Sequence, residues 1–520
     1  VTPCIRYLSA VVLSAVLAGA VNAATIEQEL AVKGFALAAK HSNAKAKELA
    51  TYTDADLVNK LSMAACAGEF EPVTVTVIAG KDLTGVTVAV ENVATPNGAA
   101  ISPSAFDIRY EVAEVTGGGQ AESARELLYP ALKPLEIKKG NNLRFWITVH
   151  VPPNAAAGNY SGKIAIRGNG ISADLPLELK VYNFKNGRLP GHDAFMVGLP
   201  DELVYYQDCA DHSMTAICSG AGSVIQNNPD GTVTLPDLDK NLKMAQQVGL
   251  GDTFYAYCTF VHTSKVKNSS HILEHREYLH PARMLKAAAS YRDKHLKEGI
   301  PEVIWYIFDE PGKGDVTQLG PLRNRICQDI YTQVAEIPGV RTYLTLGPED
   351  AEAFGKVISV HCYGGFPTPE EIEATHKCGA LASRYSNDIS MGTDPLFSRY
   401  AMGYFPWRCG FDSSTSWTYP VMAGSLGGDG KPLVMTVWEG IREGVDDWYY
   451  ALTLESLIKK ASSSGDAAKS TAAEAQKYLD DIKKAIDPYK PQCPWPNGAE
   501  FDAKRAAIAA YIDKLVPLVK

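Results

Sequence analysis

The chain has 520 residues and lacks the signatures of the commoner metal, nucleotide and nucleophile chemistries. It has 10 cysteines, but no two stand in a C-x-x-C spacing, so neither a zinc ribbon nor a thioredoxin-type redox pair is indicated. No G-x-G-x-x-G or P-loop pattern follows an early strand-like run, which removes the usual phosphate cradle of nucleotide-binding α/β folds. A G-x-S-x-G elbow is missing too, and no convincing Ser/His/Asp order emerges. Beyond the first residues, no apolar run is long enough to span a bilayer. Charge of one sign is in small excess: 50 Lys+Arg against 59 Asp+Glu give −9, which argues against a nucleic-acid or anionic membrane surface as partner. With 46% hydrophobic and 21% charged residues, 43 Gly and 30 Pro, collagen-like, disordered and coiled-coil readings fail. The length predicts two to four domains whose cores need no disulfide staples.

Residues 1–23 read as a secretory signal peptide. Arg6 precedes an apolar run from Leu8 to Ala20, and Val21-Asn22-Ala23 offers an A-x-A-like cleavage site. Cleavage there would leave 497 residues with 49 basic and 59 acidic side chains, a charge of −10. The expected destination is the periplasm or the medium. Nine cysteines would remain, an odd number, most of them read as buried small hydrophobes, with no specific disulfide predicted.

Residues 24–65 are rich in Ala, Leu, Lys and Glu at helical spacing, which predicts a helical lead-in. Residues 66–185 change to short alternating runs such as EPVTVTVIAG and ISADLPLELKVYNF, the pattern of an antiparallel β-sandwich. After a linker at 185–191, apolar runs alternate with helical stretches through residues 191–440, which predicts a (β/α)₈ TIM-like barrel. An open doubly wound sheet is the competing fold. Residues 441–520 read as a C-terminal helical region, broken by SSSGDAAKS and by the Pro-rich elbow PYKPQCPWPNG.

The most informative local run is VIWYIFDEP, residues 303–311. A buried-strand pattern ends in Asp309 and Glu310, and Pro311 stops the ladder. Catalytic side chains of barrels stand at the C-terminal ends of strands. Neighbouring strand residues point to opposite faces, so both carboxylates serve one ligand only if the chain bends there. An ordinary charged turn before proline is the plainer reading. Two carboxylates suit glycoside cleavage, one protonated to assist the leaving oxygen and one anionic. Consecutive residues are poorly placed to flank an anomeric carbon, however. A substrate-assisted route fits better, with a sugar acetamido group as nucleophile.

The opening CAGEFEPVTVTV, the hairpin PPNAAAGNYSGKIAI, the DEP after the fourth barrel strand, the late WEGIREGVDDWYYALTLESL and FDAKRAAIAAYIDKL together resemble glycoside hydrolase family 123 and its uncharacterised relatives. The similarity runs from about Cys66 to Ile458. It implies an exo-acting β-N-acetylgalactosaminidase that retains configuration, with Asp309 orienting the acetamido group and Glu310 as general acid/base. Family members commonly carry a small polar residue before that pair, where this chain has Phe308.

Further candidates stand where strands are expected to end. Tyr363, in VHCYGG, offers a hydroxyl to an acetamido carbonyl, or packs in the barrel. Arg399, Trp407 and Trp417 fall in a segment resembling the family's late sugar-contacting stretch, where a planar ring can stack on a pyranose and a guanidinium can bind hydroxyls. Trp438 and Glu439 end PLVMTVWE. Glu439 reads most simply as a structural partner of Arg442, or as the nucleophile of an ordinary two-carboxylate glycosidase. His271, His275 and His280 raise a metal alternative, but without a glutamate after the first His they make no zincin motif. His212 and His361 read as structural or, as the second reading, as sugar contacts. No metal or organic cofactor is expected, and the partner is a glycan. The reading from another class is an inactive secreted carbohydrate-binding protein.

Overall fold

A computed structural model describes residues 24 to 519, apart from 117–122, 188, 221–225, 230–231, 258–280, 309–319, 348–350, 352–353, 386–388, 390–391 and 393. The expected signal peptide, residues 1–23, therefore lies outside the described residues. Ten strands come first: β1 (Phe35–Ala38), β2 (Leu61–Ala65), β3 (Phe70–Ala79), β4 (Leu83–Ala94), β5 (Phe106–Thr116), β6 (Ser123–Pro130), β7 (Leu135–Ile137), β8 (Asn142–His150), β9 (Gly158–Asn169) and β10 (Ile171–Val181). They form two sheets, and alternate side chains of both enter one core that includes Val75, Val90, Phe145, Ile164 and Leu177. β10 shows why: its residues alternate buried and exposed along ISADLPLELKV, the period of a strand with one wet face.

Two expectations for this region need correction. Residues 24–65 do contain helices Ile26–Lys33 and Ala46–Leu49, but they also supply β1 and β2. β1 lies antiparallel on β3, and β2 lies parallel to β10, so the sheets are not wholly antiparallel. Helical composition lost here to edge pairing on an existing sheet.

The barrel closes in order through β11 (Asp193–Val197), β12 (Ala216–Gly220), β15 (Thr253–Tyr257), β16 (Glu302–Tyr306), β17 (Arg341–Leu346), β18 (Val360–Gly364), β19 (Leu381–Tyr385) and β20 (Ser413–Trp417). A hairpin of β13 (Gln226–Asn227) and β14 (Val233–Thr234) follows β12. All eight pairings are parallel, and β20 returns to β11, which rules out the open doubly wound sheet. Helices Pro236–Gln247, Pro281–Glu298, Gly320–Ala335 and Pro369–Lys377 alternate with the strands as their apolar spacing predicts. Inward side chains, among them Phe195, Cys218, Tyr255, Ile304, Tyr343 and Cys362, fill the lumen.

The last barrel strand, β20, ends at Trp417. From there the chain runs back to the first sheet, where β22 (Pro432–Met435) pairs with β6 after the short β21 (Ser425–Leu426). Helix Thr436–Ala461 begins at once, and residues 436–452 are buried without a break, including Glu439, Arg442, Glu443, Asp446 and Asp447. Helices Asp466–Ala485 and Gly498–Leu515 complete the C-terminal region. Among the described residues, none of the eight cysteines is in a disulfide, and no helix is long and apolar enough to cross a membrane.

Candidate active site

Asp309 and Glu310 follow β16 in the chain but lie outside the described residues. What is described is the ground they stand on. β16 pairs with β17 as far as Tyr306 opposite Tyr343. Beyond it the alternation breaks: Ile307 and Phe308, although adjacent, both pack into the layer between barrel and helices. The alternation of a regular strand therefore ends at Tyr306, just before the acidic pair.

Around this point the lumen side of the barrel mouth is aromatic. Tyr306 Oη and Thr345 Oγ1 are 2.6 Å apart, the rings of Tyr257 and Tyr306 lie 4.6 Å apart, and Tyr343 meets Tyr306 edge-on at 4.8 Å. At the end of β18, a Cβ on Gly364 would lie 3.2 Å from the hydroxyl of Tyr385, so glycine there keeps that hydroxyl in place. Trp417 ends β20. Six of the seven tryptophans are buried, whereas Trp417 is 46% exposed. An exposed ring beside polar tips at a barrel mouth can stack on a pyranose and bind its hydroxyls. Tyr257, Tyr306 and Tyr385 were not singled out in the sequence; their signal was a tyrosine at or near the end of each strand run.

The remaining candidates are placed elsewhere. Tyr363 points outward, and its hydroxyl is 2.6 Å from Thr375 Oγ1 on helix Pro369–Lys377; Cys362 faces the lumen instead. Arg399, on helix Pro395–Met402, has no exposure to water and pairs with Asp447 at 2.7 Å and Asp502 at 2.8 Å. Trp407 is buried, with Lys483 over its ring at 4.5 Å. Trp438 and Glu439 are on the first turn of helix Thr436–Ala461, not at a strand end. The Trp438 indole donates to Asp208 at 2.9 Å and stacks on His212.

Glu439 is 2.7 Å from Arg442 and 3.6 Å from His212. Burial alone would raise its carboxyl, but Arg442 and His212 outweigh that and hold it at about 2. His212 follows helix Leu203–Asp211 and precedes β12, at the N-terminal ends of the barrel strands. Glu439 therefore belongs to the face opposite the mouth, which removes it as nucleophile or sugar ligand. His361 bonds to the carbonyl of Gly355. His271, His275 and His280 lie outside the described residues, and among the described residues no group of His, Cys, Asp or Glu could hold a metal ion. A groove of about 530 Å³ opens between helix Pro395–Met402 and the Pro-rich elbow, lined by Lys45, Phe397 and Trp495, away from the lumen.

No protein-family model matches the chain, and no curated protein matches it. Among solved structures, a family 123 glycoside hydrolase from Clostridium perfringens is similar with a TM-score of 0.61 at 13% identity, covering 92% of this chain and 97% of that one. An endo-β-1,4-mannanase from Thermotoga petrophila is similar with a TM-score of 0.34 at 10% identity, over 51% of this chain and 78% of that one. A family 2 β-galacturonidase from Eisenbergiella tayi gives 0.29 at 11% identity, over 72% and 68%. Over nearly its whole length, the chain has the fold of a family 123 glycoside hydrolase.

Proposed function

We propose that the chain is an exported glycoside hydrolase of the family 123 type, removing terminal β-linked 2-acetamido sugars, N-acetylgalactosamine foremost, with retention of configuration. One observation carries this reading. The Asp309–Glu310 pair follows the fourth strand of a closed parallel barrel, in a chain that shares its fold with a family 123 enzyme over 92% of its length. Fold alone does not assign chemistry; the pair of carboxylates supplies it. The C. perfringens enzyme hydrolyses glycolipid glycans, which makes such glycans natural substrates to try.

In the proposed reaction the acetamido oxygen attacks the anomeric carbon as the glycosidic bond breaks, and Glu310 protonates the departing oxygen. Asp309 accepts the amide N–H and stabilises the positive charge of the oxazolinium. Glu310 then takes a proton from the water that opens this ring, leaving a hemiacetal of retained configuration. Trp417 supports the sugar's apolar face, and Tyr306 and Tyr385 line the floor.

Glu310→Gln tests the assignment. With poor leaving groups its turnover falls by about 10²–10⁴-fold, and with nitrophenyl-type leaving groups far less, because acid assistance matters less there. Equal, slight losses on both would remove Glu310 as the acid. A thiazoline analogue of the intermediate inhibits the wild type competitively; without that inhibition the substrate-assisted route falls. Sugar binding with no hydrolysis of any glycan would point to the carbohydrate-binding alternative. Export is tested by sequencing the N-terminus of protein recovered from the periplasm or medium, which begins at Ala24 if the cleavage reading is right.

A further inference from the structure

We propose that Tyr331 is a positioning residue for the Asp309–Glu310 pair, its hydroxyl clasping the two peptide groups that precede it. The clasp itself stands on described geometry, and its catalytic consequence rests on the function proposed above. The ladder between β16 and β17 stops at Tyr306 and Tyr343. The next two amides, Ile307 N and Phe308 N, donate instead to Tyr331 Oη at 3.0 and 3.2 Å, and that hydroxyl donates to the carbonyl of Tyr343 at 2.9 Å. One O–H and two lone pairs match one carbonyl and two amides. The side chain thus replaces ladder bonds where the strand turns away from its neighbour.

Tyr331 stands on helix Gly320–Ala335 and is fully buried. Its ring is flanked by Phe308 at 6.2 Å and Phe354 at 6.3 Å, so the hydroxyl has little freedom. This also gives Phe308, the departure from the family pattern, a role: it packs on the ring that holds its own amide. Tyr331 lies behind the strand rather than in the lumen, so it acts through the main chain. A general acid must stand within hydrogen-bond reach of the leaving oxygen, and displacements of about 1 Å cost as much as 10²-fold in rate.

The test compares Tyr331→Phe with Tyr291→Phe in the full chain. Tyr291 is an equally buried tyrosine one βα unit earlier, whose hydroxyl bonds to Leu235 and Asp239. Amide hydrogen exchange, resolved by mass spectrometry, reads the clasp directly. Tyr331→Phe speeds exchange at Ile307 and Phe308 about tenfold or more and leaves Trp305 and Tyr306 protected, and Tyr291→Phe changes none of the four. On an aryl 2-acetamido glycoside with a poor leaving group, Tyr331→Phe lowers kcat at least tenfold with KM within about twofold. The loss shrinks with a good leaving group, and Tyr291→Phe keeps wild-type kcat. Unchanged exchange at Ile307 and Phe308 overturns the clasp. Faster exchange with wild-type kcat on both leaving groups overturns the positioning role. Should the wild type hydrolyse no glycoside, the proposed function falls, and the exchange rates still decide the clasp.

Discussion

Arg399 meets Asp447 through two nitrogens, at 2.7 and 3.1 Å, and reaches Asp502 and Asn43 with its third. Asp447 in turn accepts from Arg505 at 2.6 Å. Arg399, Asp447, Asn43 and Arg505 are buried, so removing the guanidinium strands the Asp447 carboxylate. Arg399→Met lowers stability by about 3–5 kcal/mol, read as a fall in melting temperature, while kcat/KM measured well below the transition stays near wild type. A selective loss of kcat/KM in a fully folded variant would return Arg399 to the sugar site. Trp417→Ala does the reverse: KM rises about tenfold through lost ring contact, with the melt little changed. The sequence did not separate these two residues because an arginine or tryptophan in an apolar segment looks the same whether it faces a lumen or a C-terminal helix. Arg399's partners lie 48 and 103 positions away.

Glu126 gives a pH signature at the same scale. Burial, reinforced by the nearby Glu111 carboxylate, pushes its carboxyl from 4.5 up to about 7. A folded value above the unfolded one means that the folded chain holds a proton the unfolded chain has released. Its contribution is therefore complete below about pH 4.5 and lost as pH rises through about 7. Glu126→Gln removes that loss, since Thr436 can donate to the amide oxygen as it does to the carboxylate at 3.0 Å. Melting temperatures of variant and wild type converge near pH 4.5, and the variant is the more stable at pH 8. A constant difference across that range would contradict the assignment.

At the scale of elements, β16 was the most legible piece. Its apolar run, the acidic pair and the proline delimit it without help from the rest of the chain. β18 was recognised, but not its facing: a period of two assigns faces only once register is known, and the register puts Cys362 inward and Tyr363 outward. β22 was misplaced for a different reason. PLVM reads like any apolar strand, yet its partner is Leu127–Leu128, some 300 residues earlier. The helix after it carries a second long-range constraint in Gly440 and Gly444. A Cβ on either would stand 2.3 Å from the carbonyl oxygen of Pro395 or Arg399, so helix Thr436–Ala461 approaches helix Pro395–Met402 backbone to backbone. Gly444→Ala overpacks this contact and costs about 1–3 kcal/mol in chemical unfolding. An unchanged midpoint would show that the helices can move apart freely.

For the whole molecule, strand and helix alternation made the barrel legible, while its limits depended on contacts between distant segments. The chain leaves the first sheet at β10, builds the barrel, and returns a strand to that sheet before burying a charged helix among both units and the C-terminal helices. Glu69, Glu71, Glu443, Asp446 and Asp447 gather there around Arg399, Arg442 and Arg505. Composition gave only a net charge, with no hint that so much of it is buried. At the mouth Trp417 was legible because strand ends carry their own punctuation. The clasp by Tyr331 was not, since it joins a helix to the end of a strand more than twenty residues before it.

The most direct test of the central claim compares purified wild type on two aryl glycosides that share leaving group and galacto configuration but differ at position 2, one acetamido and one hydroxyl. Substrate assistance predicts that kcat/KM for the acetamido substrate exceeds that for the hydroxyl one by about 10³-fold or more, because only the former brings its own nucleophile. Comparable turnover of both, or preference for the hydroxyl sugar, would contradict it.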